Sequence, residues 1–254
     1  MGKRKWELLI ATTGVAMFCC GVSHAQTVVV PNANTTLEGS NGLSTPIRSA
    51  ARTVQMIISA SELASVPIGD QFTGISFRLD NAQLVSRPDF AITFANYDLY
   101  MGQAAVTPAT ANNTLALNYS PGSKTQVRGG ALNLAAGAFS NGGSGATPNA
   151  FAATIAFNLN GGGYTYNGGD IVLELTHTGN LATDFPLDAV VNSTTATALG
   201  DTGYNATTNT NVTSGFMPVV RFSYAPVVLS APEPGTLMLL GVGAIGLFVR
   251  RRQA

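Results

Sequence analysis

Between Pro234 and Arg250 the chain carries no charged side chain: Gly235 is followed by Thr236 to Val249, and Arg250-Arg251-Arg252 closes the run. A helix with no polar side has no face to turn toward water, so this segment is a poor candidate for the surface of a soluble body. As a helix of about 15 residues it would be roughly 22 Å long. That is shorter than the run of about 20 residues that spans a bilayer comfortably. Flanking arginines can snorkel and close the shortfall, and three cations hold that end on the cytoplasmic side. The pattern predicts one transmembrane helix at about 235–249, and the folded body must be built from what precedes it.

Immediately upstream stands Ala231-Pro232-Glu233-Pro234-Gly235. Pro-Glu-Pro, a short apolar helix and a terminal arginine cluster, in that order, resemble the PEP-CTERM sorting signal. The resemblance covers residues 232–254 and implies an exported chain. Such a chain is held transiently in the inner membrane and cut near Pro232, Glu233 and Pro234 by an exosortase, with Arg250, Arg251 and Arg252 flanking the anchor. Gly241-Val242-Gly243-Ala244-Ile245-Gly246 spells G-x-G-x-x-G, but no strand precedes it and no acid follows at about 20 residues, so a dinucleotide site is not expected.

Residues 1–25 have the layout of a secretory signal. Lys3-Arg4-Lys5 form the basic start, Leu8 to Val22 the apolar stretch, and Ser23-His24-Ala25 the small-residue approach to a cut between Ala25 and Gln26. Signal peptidase and the export machinery are therefore expected partners. Cys19 and Cys20 do not read as lipidation sites, because Phe18 is bulky where a small residue is required. They are also the only cysteines. The body from Gln26 onward has neither a disulfide framework nor a thiolate metal site.

Without the two ends, the charge balance is seven basic against eleven acidic residues. No basic patch or aromatic-basic interleaving remains, so nucleic acid is not an expected partner. Residues 26–225 are long enough for one domain with a sizeable core, and residues 226–231 read as a linker.

Apolar residues alternate with period two through this body, between Gly, Asn and Pro turn signals. Thr27–Val30, Val54–Ile58, Phe72–Leu79, Ile171–Leu175 and Phe216–Tyr224 read as strands. Ile75, Phe77 and Leu79 share one face of theirs, and Gly74 marks a bulge. Ser59 or Ser61 is expected to cap one helical turn through Ala64. Phe90–Met101 switches parity near Ala95-Asn96, which one strand with an extra residue would explain. Thr114–Tyr119, Gly130–Leu134 and Phe151–Leu159 are weaker strand candidates. Asn-Gly-Gly at Asn141, Asn160 and Asn167 marks turns, and Asn192–Thr213 reads as a polar loop. The expected fold is all-β, an antiparallel sandwich of jelly-roll-like kind.

Catalytic chemistry is sparse. His177 is the body's one histidine and falls on the core parity of its strand, which reads as structural. No Gly-x-Ser-x-Gly elbow occurs, and one histidine without cysteine does not make a zinc site. Asp170 and Glu174 share a strand face but would lie about 13 Å apart, too far for a glycosidase pair. Asp80, Asp89, Asp98, Asp184, Asp188 and Asp201 are expected at strand edges and loops as caps and turn formers, with a loop calcium left open. Tyr164 and Tyr166, on one strand face beside glycines, are the best candidates for glycan contact. No cofactor is expected. The chain reads as a non-enzymatic cell-surface or matrix protein, structural or adhesive, in an exopolysaccharide-containing envelope or biofilm of a Gram-negative bacterium. The alternative is a glycan-binding module or a glycan-active hydrolase using loop carboxylates.

Overall fold

The computed structural model describes residues 25–142, 147–182, 184–209, 211–212 and 216–227. The expected signal peptide up to residue 24, the end of the linker, the transmembrane helix and the sorting motif lie outside these residues. Among the described residues the chain is all-β, with short 3-10 turns, and no helix is long and apolar enough to cross a membrane.

In chain order the strands are β1 (Gln26–Val30), β2 (Asn41–Leu43), β3 (Arg52–Ile58), β4 (Gln71–Phe77), β5 (Ile92–Phe94) and β6 (Tyr97–Gln103). Then come β7 (Thr125–Arg128), β8 (Leu132–Leu134), β9 (Ile155–Ala156), β10 (Tyr164–Thr165) and β11 (Ile171–His177). The last are β12 (Leu187–Val190), β13 (Ala196–Thr202), β14 (Asn211–Val212), β15 (Met217–Pro218) and β16 (Val220–Ala225). One sheet runs β1-β16-β4-β10, with β9 also on β4; a larger one runs β14-β13-β3-β11-β6-β7. Smaller sheets are β15-β12-β2 and β5-β8, and every pairing is antiparallel.

The two large sheets share one core. Val28, Phe72, Ile75, Phe77 and Phe222 from the first meet Met56, Ile58, Leu99, Met101 and Leu173 from the second in a single buried cluster. Alternation dictates this, since residues two apart in a strand point to the same side. The bulge expected at Gly74 is present: β16 shifts register between Ser223 and Tyr224 as its partner passes from Gly74 to Phe72. Ser59 caps the 3-10 turn Ala60–Leu63, accepting from the Ser61 N–H.

Several readings need correction. Phe90–Met101 is not one bulged strand: the chain changes sheets at Ala95-Asn96, which turns both parities inward, and Phe90 itself is exposed. Thr114–Tyr119 forms a 3-10 turn, Leu115–Asn118. Only Ile155–Ala156 of the segment 151–159 forms a named strand. The polar stretch from Asn192 contains β13, an inner strand of the large sheet.

β11 is covered on both faces, and all seven of its residues are buried. Its second face is covered by the chain around Leu115 and Tyr119, which builds a small second core with Ile57, Val172 and Leu199. Polar side chains on that face are satisfied within the cover. Thr53 and Thr176 share a hydroxyl contact of 2.9 Å, Thr53 donates to Gly203 O, and the Asn205 N–H donates to Thr176.

Asp188 is not a loop cap. It lies in β12, fully buried, and pairs with the equally buried Arg78 at 2.5 Å. Arg78 also donates to Leu37 O, while the second Asp188 oxygen accepts from the Gly39 N–H. Burial raises the Asp188 pKa against the pull of Arg78. The pair thus ties the Leu37–Gly39 segment to β12 beside the first sheet. His177, at the end of β11, donates from Nε2 to Thr45 O and accepts the Gly179 N–H at Nδ1, which fixes the neutral tautomer. Phe94 and Tyr97 flank its ring.

Two outcomes follow. Arg78→Met leaves Asp188 buried without its cation and should cost about 3–5 kcal/mol in urea unfolding, and Arg78→Met/Asp188→Leu should recover much of the loss. Burial lowers the His177 pKa from 6.5 to about 4. The unfolded chain therefore binds the proton more tightly, so stability is complete above about pH 6.5 and falls as pH drops toward 4. His177→Gln should flatten that limb of the stability-against-pH curve.

Candidate functional site

The Asn-Gly-Gly turns at Asn160 and Asn167 place glycines at positive φ, at Gly161, Gly162, Gly168 and Gly169. They fold the intervening segment onto β4, with Tyr164 opposite Phe72. This turns Tyr166 inward: it is 4% exposed, its ring lies 5.8 Å from that of Phe72, and its hydroxyl donates to Gly169 O. Tyr164 is half-buried and packs against the core. Stacking on a sugar needs a ring face in solvent, which Tyr166 does not have. The glycan platform expected from spacing is instead part of the packing.

The acidic side chains organise backbone. Asp170 accepts from the Ala60 N–H at 2.8 Å, Asp98 from the Gly130 N–H and the Tyr204 hydroxyl, and Asp80 from the Ala82 N–H. Asp89 pairs with Arg87, and Asp201 accepts the Thr202 N–H. Glu174 is buried on the covered face of β11, where it accepts from Gln55, Tyr119 and Lys124. The ammonium of Lys124 sits 4.5 Å from the Tyr100 ring centroid and 5.3 Å from that of Tyr119. Burial and the neighbouring Glu174 charge push the Tyr119 pKa well up. Among the described residues no three His, Cys, Asp or Glu side chains converge as a metal site.

Two hollows bear chemistry that residue spacing did not single out. One is an open groove of about 390 Å³ containing Glu38, Glu62, Ser40 and Thr195. Both oxygens of Glu62 are engaged, one by the Asn32 N–H and one by the Thr195 hydroxyl. Glu38 accepts from the Asn81 N–H at one oxygen, and its other oxygen is buried with no partner among the described residues. The second hollow, of about 240 Å³, is lined by Arg48 and Arg52 among others. The sequence did hold a clue to it: these are two of the body's seven cations, four residues apart.

Burial, reinforced by the Asp188 and Asp80 charges, raises the Glu38 pKa from 4.5 to about 7. The folded chain therefore holds this proton more tightly than the unfolded one. Its contribution to stability is complete below about pH 4.5 and is lost as pH rises toward 7. Glu38→Gln should remove that dependence in thermal melts across the window.

The expected signal-peptide junction falls where the body starts: Ala25 is exposed, and Gln26 is the first residue of β1. Gln26 pairs with Tyr224 of β16, whose hydroxyl donates to the Gln26 side chain. The start of the first strand and the end of the last are thus neighbours on one sheet. Residues 230–253, beyond the described chain, match the family model of the PEP-CTERM protein-sorting motif. No curated protein and no solved structure matches the chain. The match contains Pro232, Glu233, Pro234 and the three terminal arginines expected to carry the signal. The chain therefore carries a PEP-CTERM sorting motif at its C-terminal end, a signal that implies export to the cell envelope or surface and processing by an exosortase.

Proposed function

We propose that the chain is a non-enzymatic, exosortase-released surface or matrix protein. Its β-body is a sandwich that serves a structural or adhesive role in an exopolysaccharide-containing envelope or biofilm of a Gram-negative bacterium. The observation that carries this reading is the sorting motif appended to a body whose two ends emerge together. Gln26 and Tyr224 are paired residues, so their Cα atoms lie about 4.5–5.5 Å apart. A signal peptide and a transmembrane helix leaving from that one spot would hold the body on a single face of the inner membrane until both are cut. Further support comes from the acids, which hold loops and strands in place. The mechanism is passive presentation of a weakly charged, cysteine-free body.

The groove with Glu38 and Glu62 favours the alternative, a glycan-active hydrolase, because a carboxyl with a raised pKa beside a second carboxylate is the pairing such chemistry uses. Against it, Glu62 has both oxygens committed to structural donors. Loss of polysaccharide cleavage in Glu38→Gln would establish the hydrolase, and the proposal expects no cleavage from either form.

The sorting step is tested by replacing Pro232, Glu233 and Pro234 with alanine in the native host and fractionating the cells. Wild-type protein should reach the surface or medium shortened at its C-terminal end, while the variant should accumulate in the inner membrane with that end intact. A variant processed and released like the wild type would contradict the proposal.

A further inference from the structure

The hollow holding Arg48 and Arg52 lies at one end of the large sheet, between β3, β13 and the 3-10 turn Thr45–Ile47 that leads to Arg48. Register explains its shape. Arg52 and Val54 of β3 pair with Thr202 and Gly200 of β13, so the four share one sheet face. Gly200 leaves that face open, since a Cβ built there would meet only Thr45 Cγ2, at 3.7 Å. Val54 forms an apolar floor, with Leu43 and half-buried Phe216 beside it.

The polar side of the hollow carries Arg48 and Arg52, with the carboxylate of Asp201 also in the lining. Arg48 uses Nε on Asp184, at 3.1 Å, and Arg52 uses Nη1 on Ala51 O. These contacts leave most of the donors of each fork for another acceptor. Asp184 is committed, because its other oxygen accepts from the Ser49 N–H. Burial and the like charge of Arg48 lower the Arg52 pKa, against the nearby Asp184 and Asp201 charges, which raise it. The two guanidiniums repel each other at the rim of the hollow, Asp184 and Asp201 offset part of that repulsion, and an anion held by the spare donors of both forks would relieve more of it.

We propose that this hollow binds one carboxylated sugar residue of an acidic polysaccharide, with Arg48 and Arg52 gripping the carboxylate and Val54, Leu43 and Phe216 bedding the C–H face of the ring. The two parts of the lining select this class. Paired guanidiniums match a planar carboxylate with parallel hydrogen bonds, and the apolar floor favours a ring over a bare anion. A hollow of about 240 Å³ is smaller than the roughly 300–1,000 Å³ sites that enclose drug-sized ligands, and it suits one residue of a chain that continues into solvent. The ligand class deepens the matrix role proposed above and rests on it.

The test titrates the full chain in detergent with tri-galacturonate, a neutral maltotriose control and acetate, by calorimetry. Tri-galacturonate should bind at least about tenfold more tightly than maltotriose or acetate, and the preference should weaken with salt. Two variants locate the site by different means. Arg48→Gln/Arg52→Gln removes the charge, and Gly200→Leu fills the hollow while keeping both arginines. Each should lower the tri-galacturonate affinity by about tenfold or more with an unchanged melting temperature. Equal affinity for maltotriose would overturn the carboxylate reading, and equal affinity for acetate would overturn the sugar. Unchanged binding in either folded variant would overturn the location. Failure of binding in a protein still sorted to the surface removes the hollow and leaves the sorting intact, whereas missorting bears on the earlier proposal alone.

Discussion

The body closes on itself through the pairing of its first strand with its last. With no cysteine after Cys20, no covalent staple holds the ends. The five register pairs from Gln26–Tyr224 to Val30–Val220 do that work, backed by Val28, Val30, Val220 and Phe222 in the core. Because the pairing is antiparallel, the first residue of β1 lies beside the end of β16. The same backbone hydrogen bonds that complete the sheet therefore bring Gln26 and Tyr224, near the two ends of the described body, to one place.

Inside, most of the buried charged groups have a fixed partner. Arg78 and Asp188 satisfy each other and two backbone groups, and the Glu174 cluster satisfies a face of β11 that would otherwise need water. Such pairs add little net stability compared with apolar packing, but removing one member is costly. This explains how a body so poor in charge can bury several of its ionisable groups. Glu38 and Asp70 are exceptions, acids with one buried oxygen that has no partner among the described residues, and for Glu38 burial raises the pKa.

Period-two alternation made the strands around Ile75, Leu173 and Phe222 legible in the sequence, because their inward residues are large and apolar. β13 was hidden because Ala196-Thr197-Ala198-Leu199-Gly200-Asp201 is built from small and polar residues, which an inner strand can carry when its neighbours supply the bulk. The second cover over β11 was equally invisible, since strand pattern does not say which loop will lie on which face. Parity at Ala95-Asn96 revealed that something changes there, but a bulge and a change of sheet leave the same trace. For the sites, the sorting motif was readable because it is a local string. The Arg48–Arg52 hollow was not, because four of its ten lining residues come from β13, about 150 residues later. Tyr166 misled for a related reason: glycine-rich surroundings suggested exposure, whereas the turns they form fold it inward.

The proposed function requires a body delivered without either of its hydrophobic ends. Intact mass of the protein recovered from the surface or medium of the cells that make it reads both ends together. The account predicts a single polypeptide that begins at Gln26 and stops close to Pro232, with β1 and β16 complete. A full-length chain from Met1 to Ala254, recovered from the cytosol, would contradict it.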